Sequence, residues 1–211
     1  MRKTTIDKVF KQLSKIYPSP QTELKYINSY TFLISVVLSA QSTDISVNNA
    51  TKGLFKIVKN PQTMIKLGEE NLKKYIKKIG LYNSKARNII KLSKILVNKY
   101  NNKIPENFNE LISLPGVGNK TASVYQNVIL NIPRIAVDTH VYRLANRIGL
   151  TKTKTADLTQ IKLEKVVPTK WLMEAHHLLI IHGRRICKAQ RPLCSLCSIQ
   201  QFCQYRKNKL K

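Results

Sequence analysis

Apolar positions along this chain recur at helical spacing almost throughout. Ile6, Val9, Phe10, Leu13 and Ile16 fall three or four apart, which predicts an amphipathic helix that Pro18 and Pro20 bring to an end. Phe32–Ser39 is apolar on most sides and predicts a buried helix. Asp44 can cap the next helix, which runs toward Ile57. Asn60-Pro61 opens another, with proline at the first helical position. Gly68, Gly80 and Gly149 read as helix stops or turns. Ser84 begins a long helix ending near Tyr100, with Ala86, Ile89, Ile90 and Leu96 inward. Pro105 and Pro115 bracket a short helix at Asn107–Ser113. Thr155 can cap Ala156–Val167, Pro168 ends it, and Thr169–Arg185 is the last long helix. No stretch alternates as a strand does, and no repeat exceeds a helix pair. The expected fold class is all-α.

A chain of 211 residues has room for one large domain or two small ones. It carries 37 Lys and Arg against 11 Asp and Glu, a formal net charge of +26. Such an excess suits a polyanionic partner. The chain is also rich in Lys, Ile and Asn together, as an AT-rich genome would make it. The charge therefore supports a nucleic-acid partner without establishing one. A membrane is disfavoured, because the longest apolar run, Phe32–Leu38, is interrupted by Ser35 and falls short of the roughly 20 residues a spanning helix needs. No block is low-complexity, which argues against a disordered basic arm. Thr4–Lys15 is amphipathic and lacks the apolar centre of a secretory signal, so the expected location is the cytoplasm, where thiols stay reduced.

All four cysteines fall in one run, Cys187-x6-Cys194-x2-Cys197-x5-Cys203. Cysteine used only as a tight quartet reads as a ligand set around one metal centre. A reducing compartment disfavours disulfides. Structural zinc explains the Cys194-x2-Cys197 pair well. The wide first gap and the gap of five suit an iron–sulfur cluster equally, and spacing alone does not choose. The flanking cations Arg184, Arg185, Lys188, Arg191, Arg206 and Lys207 suggest that the loop meets nucleic acid.

The stretch Leu111-Ile-Ser-Leu-Pro-Gly-Val-Gly-Asn-Lys120-Thr-Ala joins two helices through a glycine-rich turn. Gly116 and Gly118, flanking Val117, leave amide N–H groups uncovered beside a helix N-terminus, where an anion is favoured. Backbone amides do not distinguish bases, so a phosphate held there is positioned without sequence readout. The bland alternative is an ordinary connection between helices. Lys120 alters that balance, since it falls in the first helical turn, where the macrodipole disfavours a cation. A lysine has an ordinary pKa of about 10.4, and burial with a positive helix end favours its neutral, nucleophilic form. Such an amine can form a Schiff base. Asp138, in Val137-Asp-Thr-His140, precedes an amphipathic helix; it can cap that helix, act as a catalytic carboxylate, or do both. His140 alone favours neither catalysis nor core. His176, His177 and His182 lie on an apolar helix and read as core or surface groups rather than ligands.

Together these residues resemble the endonuclease III family of the helix–hairpin–helix DNA glycosylase superfamily. The resemblance runs over essentially the whole chain. It is carried by Leu38-Ser-Ala-Gln-Ser-Thr-Asp44, Ile79-Gly-Leu-Tyr-Asn-Ser-Lys-Ala86, Leu114-Pro-Gly-Val-Gly-Asn-Lys-Thr-Ala122, Val137-Asp-Thr-His140 and the cysteine run. It implies two helical domains with the DNA site in the cleft between them. A six-helix domain over about residues 22–132 would carry the hairpin; residues 1–21 and 133–211 would form the second. It implies that Cys187, Cys194, Cys197 and Cys203 hold a 4Fe-4S cluster, presenting the loop with Lys188 and Arg191 to DNA. Lys120 would be the nucleophile at C1′ and Asp138 the assisting carboxylate. The outcome would be release of an oxidised or ring-fragmented pyrimidine, followed by β-elimination that nicks the strand. The target nucleotide must be flipped from damaged double-stranded DNA, at a cost of about a few kcal/mol. Gln41 and Leu81 are the family's candidates to fill the gap. The residues alone would make Gln41 a helix-end polar group and Leu81 a core residue. A monomer suffices for one duplex.

Asn119 stands where relatives often carry a basic residue, and Ala175 replaces a cysteine seen in some; neither departure alters the identity of Lys120 or Asp138. An adenine-specific mismatch glycosylase shares the cluster and the aspartate but lacks lysine at the position of Lys120. A non-catalytic DNA-binding protein would fit the charge, hairpin and metal loop, but has no need of that lysine.

Overall fold

The computed structural model describes residues 1–209. Among them the chain is helical throughout, with no strand. In chain order the helices are α1 Lys3–Ile16, α2 Ser29–Ser39, α3 Asp44–Ile57, α4 Pro61–Leu67, α5 Glu69–Ile76, α6 Tyr82–Tyr100, α7 Phe108–Ile112, α8 Asn119–Leu130, α9 Thr139–Ile148, α10 Ala156–Val166, α11 Leu172–Arg185 and α12 Gln204–Lys209. Two compact units emerge. One is Glu23–Leu130; the other joins Met1–Thr22 to the chain from Asn131 onward.

In the unit from Glu23 to Leu130, α2 is the central post. Asn28 starts it with a reciprocal cap: its side chain accepts from Thr31 N–H at 3.0 Å, and the Thr31 hydroxyl accepts from Asn28 N–H at 2.9 Å. Every residue from Tyr30 to Leu38 is buried, as a helix apolar on all sides requires. Helices α3, α6 and α8 pack on α2, while α4 and α5 pack on α6 and α7 on α8. The Tyr30 hydroxyl meets Ser93 Oγ at 2.7 Å, so the phenol is buried without losing a partner.

Three expectations need correction here. Thr43, not Asp44, caps α3, accepting from Ser46 N–H at 3.2 Å; Asp44 is the first helical residue, where its charge still suits the helix end. Helix α6 starts at Tyr82 rather than Ser84, because Leu81 adopts a left-handed conformation and serves as its N-cap. Among the described residues this unit holds seven helices rather than six. Gly68, at φ +80°, ends α4 and begins α5 within one residue.

The second unit gathers α1, α9, α10 and α11 around one core that includes Ile6, Phe10, Leu144, Leu163 and Leu179. Phe10 stacks on Trp171 at 6.2 Å, and Trp171 Nε1–H donates to Asp7 Oδ1 at 2.7 Å. Ile16 leaves the inward stripe of α1 and is 44% exposed at its last turn. The helix expected from Thr169 opens as a 3₁₀ turn, Thr169–Trp171, and becomes α-helical at Leu172. Among the described residues no helix is long and apolar enough to cross a membrane.

Candidate functional site

Helix α7 ends at Ile112 with Ser113 as its C-cap, and the turn Leu114–Gly118 leads into α8. Gly116 is exposed at φ +80°, and a Cβ there would lie 3.2 Å from Asn88 Cβ and 3.4 Å from Val37 Cγ1. Conformation and space both demand glycine. Val117 is buried, and its N–H donates to Leu114 O at 3.0 Å. Val117 is thus a plug beneath the turn rather than a donor on it. The Gly116 and Gly118 amides find no acceptor among the described residues. They lie exposed beside the start of α8, whose first turn holds no acidic residue. Unpaired amides and an uncompensated helix N-terminus together favour an anion. Lys120 is the second residue of α8 and is half-buried, neither fully solvated nor sealed.

Two further turns stand out in the same unit. Gln41, just past α2, has φ +54°, and Leu81, just before α6, has φ +60°. Neither is glycine, and left-handed backbone costs such residues about 1–2 kcal/mol each. Both side chains are exposed, Leu81 by 61%. An apolar side chain is thereby held out of any core, which overturns the reading of Leu81 as core. Strain that places an apolar group in water is characteristic of a contact surface.

In the second unit, the segment leading to Asp138 is pinned from two sides. His176 Nδ1 lies 2.7 Å from Ala136 O, which can only accept, so that nitrogen carries the proton. Glu164 Oε1 accepts from Ile135 N–H at 3.1 Å. Asp138 then caps α9: its Oδ1 accepts from His140 N–H at 2.9 Å and from Val141 N–H at 2.8 Å. Both bonds fall on one oxygen, and Oδ2 has no partner among the described residues. The capping and chemical readings of Asp138 are therefore compatible, one oxygen for each. His140 is half-buried, with Arg143 Nη2 at 3.2 Å from its Nδ1; an acceptor there puts the ring proton on Nε2.

The four cysteines line one largely apolar cavity with Leu144, Ile148, Ile186, Pro192, Leu193 and Ile199. All four are free thiols. Burial pushes the Cys197 thiol up to about 11 and raises that of Cys203 as well. Thiols so placed ionise only when a bound cation compensates, and this donor set fits a thiolate-held metal centre. Among the described residues, no three His, Cys, Asp or Glu side chains converge on a single-ion site. His182 Nε2 lies 3.4 Å from Cys197 Sγ, and its Nδ1 lies 3.1 Å from the Tyr17 hydroxyl. Burial lowers the His182 pKa to about 4, so it is a neutral neighbour of the thiols. His176 and His177 are buried too. Lys188 and Arg191 are exposed on the loop between Cys187 and Cys194, Arg191 with φ +48°.

Sequence reasoning passed over the groups that join these parts. Arg143 Nε donates to Cys187 O at 3.0 Å and its Nη2 to Gly183 O at 2.9 Å. Arg147 Nη1 donates to Lys188 O at 2.6 Å and lies 3.6 Å from Cys187 Sγ; its Nη2 donates to Ala189 O at 2.9 Å. The helix capped by Asp138 thus also grips the cysteine loop. Two arginines four apart on one helix were a signal for this. Lys85 was missed as well, although it sits near the start of α6, where a cation is as anomalous as Lys120 is on α8.

A family model described as "HhH-GPD superfamily base excision DNA repair protein" matches residues 34–169. A Rickettsia conorii endonuclease III is 53% identical over 205 residues, covering 97% of this chain and 98% of its own. An Escherichia coli endonuclease III is 45% identical over 206 residues, covering 98% of each. Among solved structures, a trapped endonuclease III–DNA covalent intermediate has a TM-score of 0.93 at 40% identity, with 100% of both chains covered.

Proposed function

The chain belongs to the HhH-GPD superfamily of base excision DNA repair proteins, and from that membership we propose that it is a bifunctional DNA glycosylase and abasic-site lyase acting on oxidised or ring-fragmented pyrimidines. The observation that carries the reading is the start of α8. A half-buried lysine follows a Gly-x-Gly turn whose exposed amides await an anion. A phosphate held by those amides would fix the backbone of a flipped nucleotide while the Lys120 amine attacks C1′.

The N-glycosidic bond breaks as the new C–N bond forms, and the base departs with its electron pair and takes up a proton. Asp138, through Oδ2, stabilises the positive charge developing on the sugar. The amine then loses a proton and the C1′–O4′ bond breaks, O4′ taking up a proton as the sugar ring opens, and the resulting iminium between Lys120 and C1′ acidifies C2′. Loss of that proton expels the 3′ phosphate, which nicks the strand. Water then releases the amine. That a 40% identical endonuclease III has been trapped covalently on DNA supports this route. The apolar cavity of four thiols supports a 4Fe-4S cluster held by Cys187, Cys194, Cys197 and Cys203. Its contribution would be to pin the loop that offers Lys188 and Arg191 to phosphates. Gln41 and Leu81 would fill the gap in the duplex, and His140 would contact the strand near Asp138. A monomer in the cytoplasm suffices for all of this.

Borohydride trapping on a duplex carrying one oxidised thymine tests the proposal. A covalent protein–DNA band is expected only with the lesion, and only when Lys120 is present. Lys120→Gln should lose the band and the strand cleavage while still binding damage. Turnover by that variant near the parent's would sink the assignment of the nucleophile.

A further inference from the structure

Lys85 is 6% exposed, although it lies at the end of the first turn of a surface-reaching helix. Its ammonium donates to Leu38 O at 2.9 Å, to Ala40 O at 2.6 Å and to Ser42 Oγ at 3.0 Å. Three protons thus meet three acceptors. The acceptors at Ala40 and Ser42 flank Gln41 on both sides. The backbone N–H of the same residue donates to Leu81 O at 3.0 Å. One residue therefore holds the Gln41 turn with its side chain and the Leu81 turn with its main chain. The two turns also touch directly, since a Cβ on Gly80 would lie 3.6 Å from Gln41 O.

The bland account is that Lys85 satisfies the last carbonyls of α2, as a cation at a helix C-terminus does. That task does not explain the burial. Water or a solvated lysine would serve those carbonyls as well, whereas burial strips the ammonium of hydration and lowers its pKa. What the buried arrangement adds is rigidity between two turns that each carry an exposed, left-handed, non-glycine residue. Such conformations persist only where surrounding bonds over-determine them.

We propose that Lys85 is a positioning residue that locks the Gln41 and Leu81 turns into one wedge, so that both side chains enter the duplex together where a nucleotide has been extruded. Extrusion leaves an apolar void and an orphaned base on the facing strand. A leucine suits the first and a glutamine amide, with donor and acceptor, suits the second. Held as one body, the pair meets the gap without ordering either turn at the moment of binding. The inference rests on the duplex-acting reading above and extends it to a residue that touches neither base nor sugar.

The test compares Lys85→Met with the parent on two substrates, well below the unfolding temperature. On a duplex with oxidised thymine, kcat/KM for base release should fall about 30-fold, roughly 2 kcal/mol at 1.36 kcal/mol per decade. Borohydride trapping on a preformed abasic site in a single strand has no gap to fill, and should change less than about twofold. A 2-aminopurine placed opposite the lesion should brighten with the parent and stay dark with the variant. Adding Leu81→Ala to Lys85→Met should cause little further loss, since the two act as a unit. Equal losses on both substrates, or unchanged duplex activity, overturn the wedge and leave Lys85 a helix cap. A parent that releases no base from the duplex overturns the glycosylase reading, and the wedge with it. Should Lys85→Met fail to fold, Ser42→Ala removes a single acceptor. It should lower the duplex-to-single-strand ratio in the same direction, and a parental ratio would overturn the proposal.

Discussion

Asp138 caps α9 through Oδ1, the proposed mechanism gives Oδ2 a separate task, and substitutions can separate the two. In Asp138→Asn the amide oxygen can still accept from His140 and Val141, which now bond Oδ1, but the charge is gone. That variant should melt within about 0.5 kcal/mol of the parent, because Asn is as good an N-cap as Asp. Its single-turnover base release should fall by roughly 10²–10⁴, the span typical of removing one acid–base group. Asp138→Ala should show the same loss of rate and in addition lose about 1 kcal/mol of stability, the usual contribution of a cap. Thermal melts and single-turnover assays on the pair decide the matter. If both variants are destabilised alike and rate merely follows stability, Asp138 is chiefly a cap. Lys120 and the cysteines stood out in the sequence as a cation at a helix start and as thiols confined to one run, and Asp138 was legible as the N-cap it proves to be. Leu81 was not legible, since hydrophobicity alone assigns a leucine to the core and strain appears only in the backbone. Lys85 was hidden among many lysines, and its burial follows from three acceptors brought together by folding.

Helix α9 links two functions in ten residues. Its N-terminus is fixed by Asp138, and the half-buried Arg143 and Arg147 reach the carbonyls of the cysteine loop. Arg147 also lies over the Tyr205 ring at 4.8 Å, which ties α12 to the same face. Arg147→Leu should therefore loosen the loop while leaving α9 intact. Hydrogen bonds from a charged group contribute about 1.5–3 kcal/mol, and part of that should appear as a lower melting temperature. Proteolysis should begin between Cys187 and Cys194, and, if the loop holds the proposed cluster, iron per chain and visible absorbance should fall as well. A variant with parental melting and a parental protease pattern would show that the loop holds itself. Element boundaries were legible where a side chain does the capping, as at Asn60 and Thr155. They were misplaced at α6, where a strained leucine does it instead. Helix α12 was not foreseen because Gln204–Lys209 has no apolar stripe, and Arg147 on another helix supplies what fixes it.

At the scale of the whole molecule, helical periodicity names the elements but not their partners. Nothing in Ile6 or Phe10 says that their stripe joins a core with Leu179, far along the chain; only the folded arrangement, or likeness to known proteins, supplies that. Charge is different, since it is fully written in the sequence yet ambiguous in meaning. With 37 cations and 11 acids, positive groups exceed acidic ones by 26. Compositional drift and selection for DNA binding would both produce that excess, but they differ in where the energetically coupled cations lie. If Lys188 and Arg191 neutralise phosphates, each releases counterions from the duplex. The plot of log affinity against log salt then has a slope of about −0.9 per contact. Lys188→Ala with Arg191→Ala should make that slope shallower by about 1.8 and weaken binding alike on damaged and undamaged duplexes. Lys66→Ala with Lys94→Ala removes the same charge from exposed positions outside the loop and should leave the slope unchanged. Phosphate contacts through the Gly116 and Gly118 amides, as proposed, would release no counterion and so would raise affinity without steepening the line. Equal shallowing by the two double variants would mean that the positive charge acts as a diffuse field over the whole surface, and that the cysteine loop has no privileged place in it.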